Sequence, residues 1–209
     1  MLKLKENSPQ YTLTARRIKA YHTAVSLIEK ELNGIRAKLY PVILSEYNDK
    51  WADWYNTEKT LIEKYLSKEG IVINHIGSTA VPGLVSKPII DILLEIDKNT
   101  DLQEIKSAFP QTDYICLEKQ TIDTNDIMLF LKGYTDEGFT QKVFHIHVRY
   151  KGDWDEIIFR DFLRANPQTA KEYAQLKLRL KEKYEFDRDG YTLAKGEFIA
   201  DIVNQAKAK

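Results

Sequence analysis

His75-Ile76-Gly77-Ser78-Thr79-Ala80-Val81-Pro82-Gly83-Leu84, running on through Lys87-Pro88-Ile89-Ile90-Asp91-Ile92-Leu93-Leu94-Glu95-Ile96, decides how this chain is read. Its two β-branched runs, Ile71 to Ile76 and Ile89 to Ile96, predict strands. Gly77-Ser78 reads as a tight turn leaving the first strand, and Pro82-Gly83 as a loop leading to the second. Asp91 is a charge among apolar neighbours and needs a reason. A Gly-Ser turn can offer backbone N–H groups and a hydroxyl to a phosphate. A carboxylate close by can hold the accompanying metal. Side chains alternate along a strand, so Asp91 shares a face with Ile89, Leu93 and Glu95. Glu95 is about 13 Å from Asp91 at about 3.3 Å per residue, too far to serve the same ion. The structural alternative is that Asp91 accepts from loop amides at the sheet end.

Working outward, Val143-Phe144-His145-Ile146-His147-Val148-Arg149 places His145, His147 and Arg149 on one strand face and the apolar residues on the other. Two imidazoles at i and i+2 can converge on one metal, and the guanidinium can meet phosphate oxygens. If this strand neighbours that of Asp91, an Asp91–His145–His147 set results. It would suit a divalent transition metal better than Mg²⁺, which prefers oxygen ligands. The alternative is a solvated polar sheet face. Lys87 at the strand mouth and Lys132 on a hairpin are candidates to neutralise phosphate, although such lysines are commonly only solvated. His75 either joins the set or packs. Arg160 and Arg164 share a helix face and serve either the site or surface ion pairs.

Around these motifs, helices are expected from Lys50 to Leu66, from Asn99 to Phe109, and from an Asp153/Glu156 capping box to Ala165. A further helix starts at Asn166-Pro167, and Asp189-Gly190 breaks the chain before a last helix ending near Ala206. Strands are expected at Tyr114–Glu118, Asp126–Tyr134 and Lys142–Tyr150, the last two as a hairpin through the loop Thr135–Gly138. Upstream, Ile18, Tyr21, Val25, Ile28, Leu32, Ile35 and Leu39 form a narrow helical stripe from Thr14 to about Leu39. This stripe either packs on its own domain or pairs with a second copy in a homodimer. Residues 1–40 read as a helical extension, and residues 41–209 as the main domain.

Composition bounds the function. The 209 residues are 43% hydrophobic and 30% charged, which is ordinary for a globular protein. Lys plus Arg number 31 and Asp plus Glu number 31, so no net field draws the chain to nucleic acid or to a membrane surface. The single cysteine, Cys116, can form no internal disulfide and reads as a buried thiol. No stretch approaches membrane-spanning length, and the charged start lacks a signal-peptide core. A cytoplasmic protein is expected.

Taken together, the Tyr47–Trp51 entry, His75–Leu84, Lys87–Asp91, Lys132-Gly133-Tyr134 and His145-Ile146-His147-Val148 resemble the bacterial GrpB (UPF0157) family. Phe159–Arg164, Tyr173 with Leu176-Lys177, Asp187-Arg188, and Tyr191 with Lys195 extend the likeness over residues 41 to 205. The family is of unknown physiological role and is related to the nucleotidyltransferase superfamily. The resemblance implies an α+β fold, with a mixed, mainly antiparallel sheet flanked by helices. It implies that Gly77 and Ser78 match a phosphate-binding turn; Gly77, Ser78, Thr79, Lys87, Lys132 and Arg149 are thus the expected contacts to a nucleotide or phosphorylated small molecule. It further implies that Asp91 is the first metal carboxylate of a catalytic centre. The departures are as informative. Leu93 stands where the superfamily places a second carboxylate, and His145 and His147 stand where a third is expected. The expected cofactor is a divalent metal, Mg²⁺, Mn²⁺ or Zn²⁺. Nucleotidyl transfer comes first, non-catalytic binding by a cleft that has lost its acidic triad second, and a different metal-dependent reaction such as phosphoester hydrolysis by the His pair third.

Overall fold

Ile89–Ile96 is apolar on both faces, as a strand inside a sheet must be, and every residue in it except Asp91 is buried. In the computed structural model, which describes residues 38–66, 70–118 and 125–208, this strand is β2. It pairs antiparallel with β1 (Val72–Ile76) and parallel with β5 (Gly138–Tyr150). β4 (Met128–Thr135) and β3 (Tyr114–Glu118) complete the sheet in the order β1-β2-β5-β4-β3, antiparallel throughout apart from the β2–β5 pair. The expected mixed, mainly antiparallel sheet is thus observed. Helices α1 (Lys50–Leu66) and α2 (Leu102–Ala108) belong to the first half. Helices α3 (Asp155–Ala165), α4 (Pro167–Lys183), α5 (Arg188–Leu193) and α6 (Gly196–Lys207) close the chain.

Strand alternation divides the sheet into two unlike faces. Ile90, Ile92, Leu94, Ile96, Phe130, Phe144, Ile146 and Val148 pack with Trp51, Ile62 and Leu66 of α1 and Ile105 of α2 into the main core. Each such side chain contributes about 1.5–3 kcal/mol when fully buried. The opposite face carries Asp91, His145, His147 and Arg149, and α3 reaches it through Glu156, 2.9 Å from Arg149. A smaller core of Val81, Leu84, Leu163 and Tyr173 pins the loop after Gly77-Ser78 to α3 and α4.

Several local expectations are corrected. Glu156 does not close a capping box with Asp153; Trp154 is the cap of α3, without a side-chain bond, and Glu156 is engaged by Arg149 instead. Asp189 and Gly190 do not break the chain but lie inside α5, which Asp187 caps by accepting from the Gly190 N–H at 2.8 Å. β5 begins at Gly138, so the hairpin turn is tighter than expected. Cys116 is half-buried at the edge of the core, and burial pushes its thiol pKa up. The chain divides into two units, Met1–Tyr40 and Pro41–Lys209. Apart from Lys38 and Leu39, the helix expected from Thr14, with its dimerisation role, lies outside the described residues. No helix among the described residues is long and apolar enough to cross a membrane.

Lys132 also departs from expectation. It faces α1, on the sheet side opposite Asp91, where Nζ donates to both carboxylate oxygens of Glu58 at 2.8 and 3.0 Å. The Tyr114 hydroxyl donates to the same carboxylate. Glu58 is only 2% exposed, so this lysine compensates a buried charge. Lys132→Ala is therefore expected to lower stability by about 3 kcal/mol, read as a lower urea midpoint at unchanged slope. A loss under about 1 kcal/mol would show that Glu58 does not need this partner.

Candidate functional site

The β2–β5 register sets the site. Asp91 is the ladder partner of His145, and Leu93 that of His147. His145 Nδ1 lies 3.3 Å and His147 Nε2 3.8 Å from Asp91 Oδ1. One ligand atom from each of the three residues falls within 4.8 Å of the other two. The outer nitrogens of both rings have partners of their own. His147 Nδ1 meets Asp126 Oδ2 at 2.8 Å, and His145 Nε2 meets the Tyr134 hydroxyl at 2.7 Å. Asp126 is in turn held by Arg149 Nε at 2.5 Å, and the Arg149 guanidinium lies over the Trp154 ring. Arg188 donates to the Tyr134 hydroxyl at 3.3 Å.

Tyr134 reaches His145 because of a bulge. The β4–β5 register shifts between Lys132 and Tyr134 at Gly133, whose φ is +89°. A Cβ there would come within 2.3 Å of the Lys142 carbonyl oxygen. Strict alternation would put Tyr134 on the side of Lys132; the bulge re-aims it.

Charge follows from these contacts. Burial pushes the Asp91 pKa up, but the hydrogen bonds from His145 and His147, with the charge of His147, outweigh it and hold the carboxyl far below its usual range. Burial pushes His147 down, yet Asp126 and Asp91 together raise it to about 9. For His145, burial prevails and the pKa is lowered. At neutral pH the site therefore holds two carboxylates, one imidazolium and one neutral imidazole. The donor set also fits a metal ion. Were the His147 Nε2 proton replaced by a cation, Nδ1–H would stay on Asp126, the outer carboxylate that orients metal-bound histidines.

The turn beside Asp91 is shaped by its glycine. Gly77 has φ +70°, and a Cβ there would sit 2.4 Å from Asp91 Oδ2. Helix α3 clamps the turn from both ends: Arg160 donates to the His75 carbonyl at 2.8 Å and Arg164 to the Ala80 carbonyl at 2.7 and 2.9 Å. His75 stacks on Tyr55 and meets Thr79 Oγ1 at 3.1 Å, while the Thr79 hydroxyl donates to the Ile89 carbonyl. Burial depresses the His75 pKa to about 4. Ser78 lies beside the Tyr173 hydroxyl.

Of the residues singled out from sequence, Gly77, Ser78, Asp91, His145 and His147 come together, while the Lys87 ammonium lies over the Tyr191 ring, 5.5 Å from its centroid. Thr79 and His75 are absorbed in the turn's own bonding. Arg149 is 5% exposed and committed to Asp126 and Glu156, and Lys132 is on the other face. Glu95 bonds Asn74 at 3.2 Å and the Gly152 amide at 3.3 Å. Sequence reading missed Asp126, taken only as the head of a strand. It also gave no role to Tyr134, Tyr173, Lys177, Arg188, Tyr191 or Lys195, although all six carry the family resemblance.

Comparison with known proteins agrees with that resemblance. The family model described as GrpB protein matches residues 41–205. A glutamate-rich protein GrpB of Alkalihalophilus pseudofirmus is 36% identical, aligned over 78% of this chain and 95% of that protein. A UPF0157 protein of Bacillus subtilis, YqkA, is 31% identical over 81% of this chain but only 49% of its own length. The crystal structure of conserved protein GrpB from Enterococcus faecalis superposes with a TM-score of 0.66 at 29% identity, covering 78% of this chain and 96% of that one.

Two outcomes test the site geometry. Gly77→Ala forces a positive φ on an L side chain and displaces Asp91, and should cost about 2–3 kcal/mol in chemical denaturation. The second concerns His147, whose folded pKa of about 9 lies above its ordinary 6.5. Its stabilising contribution is thus complete below pH 6.5 and lost as pH rises through 9. The stability advantage of the native chain over Asp126→Asn should accordingly shrink across that window. A constant gap would mean that Asp126 does not raise His147.

Proposed function

The chain belongs to the GrpB family, and on that premise we propose that the cleft at Asp91 binds a nucleotide or another phosphorylated small molecule together with a divalent metal, in the manner of a nucleotidyltransferase-like protein. One observation carries this reading: both imidazoles have their outer nitrogens tied, to Asp126 and Tyr134, while their inner nitrogens converge with Asp91. Asp91, His145 and His147 would hold the ion. Two nitrogen donors and one oxygen suit Mn²⁺ or Zn²⁺ better than Mg²⁺. Such an ion supplies Lewis-acid neutralisation of phosphate oxygens. The Gly77-Ser78 turn, which abuts Asp91, is suited to receive the phosphate itself.

A specific residue favours binding without turnover. Leu93 is fully buried opposite His147, at the position where a second carboxylate would bridge two ions. Two-metal transfer needs ions about 3.5–4 Å apart sharing acidic ligands, and Asp91 is a single carboxylate. Nucleotidyl transfer is therefore the second reading, and the cleft as a metal-dependent binding module is the first.

Calorimetric titration tests the proposal. Mn²⁺ or Zn²⁺ should bind at one site per chain, with Asp91→Asn and His147→Gln each weakening affinity by about 100-fold or more. Between pH 6.5 and 9 binding should release about one proton, since the ion displaces that on His147. Equal metal responses from the native chain and Asp91→Asn would end the metal reading. Pyrophosphate release from a nucleoside triphosphate in an acceptor screen would restore transfer as the first reading.

A further inference from the structure

Among the described residues, carboxylates match the buried Arg149 and the half-buried Lys132. Lys132 has Glu58, and Arg149 has Asp126 and Glu156. Another group differs. Lys87 at the mouth of β2, Lys177 on α4, Arg188 at the start of α5 and Lys195 at the entry to α6 come from four separate segments. None has a carboxylate within 4.0 Å among the described residues. The Lys87 and Lys195 ammonium groups lie 5.5 and 4.5 Å from the centroid of the same Tyr191 ring. Lys177 is 2% exposed; it lies 4.7 Å from the Tyr173 ring centroid and donates to the Val85 carbonyl. Arg188 lies against Tyr134 and Phe139. Aromatic faces and a carbonyl thus stand where Arg149 and Lys132 have carboxylates.

We propose that Lys87, Lys177, Arg188 and Lys195 form a polyanion subsite beside Asp91, built for the consecutive phosphates of a diphosphate or triphosphate rather than for a single phosphate group. The proposal rests on the reading of the Asp91 cleft as the ligand site and narrows its ligand class. Gathering cations away from water without carboxylates is costly, and the lysines' lowered pKa values reflect it. Burial first, then Lys195 and Lys87, depress the Lys177 pKa to about 6; burial and Lys87 depress Lys195 to about 8. Burial and Arg188 lower Lys87 as well, against the opposing pull of Asp91 and Asp189. A polyanion offsets the charge of Lys87, Arg188 and Lys195 together and draws a proton onto Lys177, which is otherwise largely neutral at pH 7. A single phosphate can satisfy only part of a group drawn from four segments and carries less charge to offset it. Tyr173 connects the two halves of the cleft, with Lys177 against its ring and Ser78 of the turn at its hydroxyl.

The test uses the full chain in excess chelator at fixed ionic strength and pH 7, titrated with orthophosphate, pyrophosphate and tripolyphosphate. Pyrophosphate and tripolyphosphate should bind about tenfold or more tightly than orthophosphate. Lys87→Gln and Lys195→Gln should each weaken tripolyphosphate by about tenfold while keeping Mn²⁺ binding, which also reports that both variants are folded. Asp91→Asn should lose Mn²⁺ yet keep tripolyphosphate in chelator. Equal affinity for orthophosphate and tripolyphosphate, or native tripolyphosphate affinity in both lysine variants, overturns the subsite. If Mn²⁺ fails to bind the native chain while the phosphate series behaves as expected, the subsite stands and only the metal reading falls.

Discussion

Asp91 must stay ionised in a strand whose other residues are all buried, and much of the polar face is organised around that requirement. A carboxylate lowered into such surroundings would ordinarily take up a proton. Here the two imidazoles of β5 oppose that tendency, and they are available only because β2 and β5 run parallel in a register that aligns Asp91 with His145. The imidazoles bring requirements of their own. His147 carries a charge and needs Asp126; Asp126, itself fully buried, needs Arg149; Arg149 needs Glu156 from α3. A single acidic residue thus commits two strands, the segment leading into β4, and a helix.

The same chain of dependence separates the cations into two kinds. Arg149 and Lys132 are spent inside the protein, each neutralising a buried carboxylate. Arg160 and Arg164 are spent on backbone carbonyls at either end of the Gly77-Ser78 turn, and so fix its shape without entering the cleft. Lys87, Lys177, Arg188 and Lys195 are left with rings and carbonyls. Charge count alone, balanced over the chain, hides this local asymmetry.

What the sequence discloses follows physical range. Lys50–Leu66, Ile89–Ile96 and Tyr114–Glu118 carry their periodicity within a few residues, and their expected bounds match. Asp91 and the His145/His147 pair are legible because a charge or an imidazole on an apolar strand conflicts with its neighbours. Asp126 is not legible. An acid just ahead of a strand looks like any loop residue, and its role depends on two side chains more than twenty positions away. Arg149 and Lys132 mislead for the same reason, since alternation gives a face but not the partner already occupying it. The Asp153/Glu156 capping box fails because a stronger donor, the Arg149 guanidinium, competes for the Glu156 carboxylate.

The parallel β2–β5 pair also bears on how the protein is made. Parallel strands cannot form a hairpin, and α2, β3 and β4 all intervene before β5 appears. At about 5–20 residues per second of synthesis, β2 waits several seconds for its central partner. During that interval an almost wholly apolar strand has β1 on one edge and nothing of its own on the other, the condition in which unpaired edges recruit foreign strands. Its two charged residues, Asp91 and Glu95, then sit on that open edge, where charge discourages such pairing. The carboxylate that later organises the cleft would thus have guarded the nascent chain before the cleft existed.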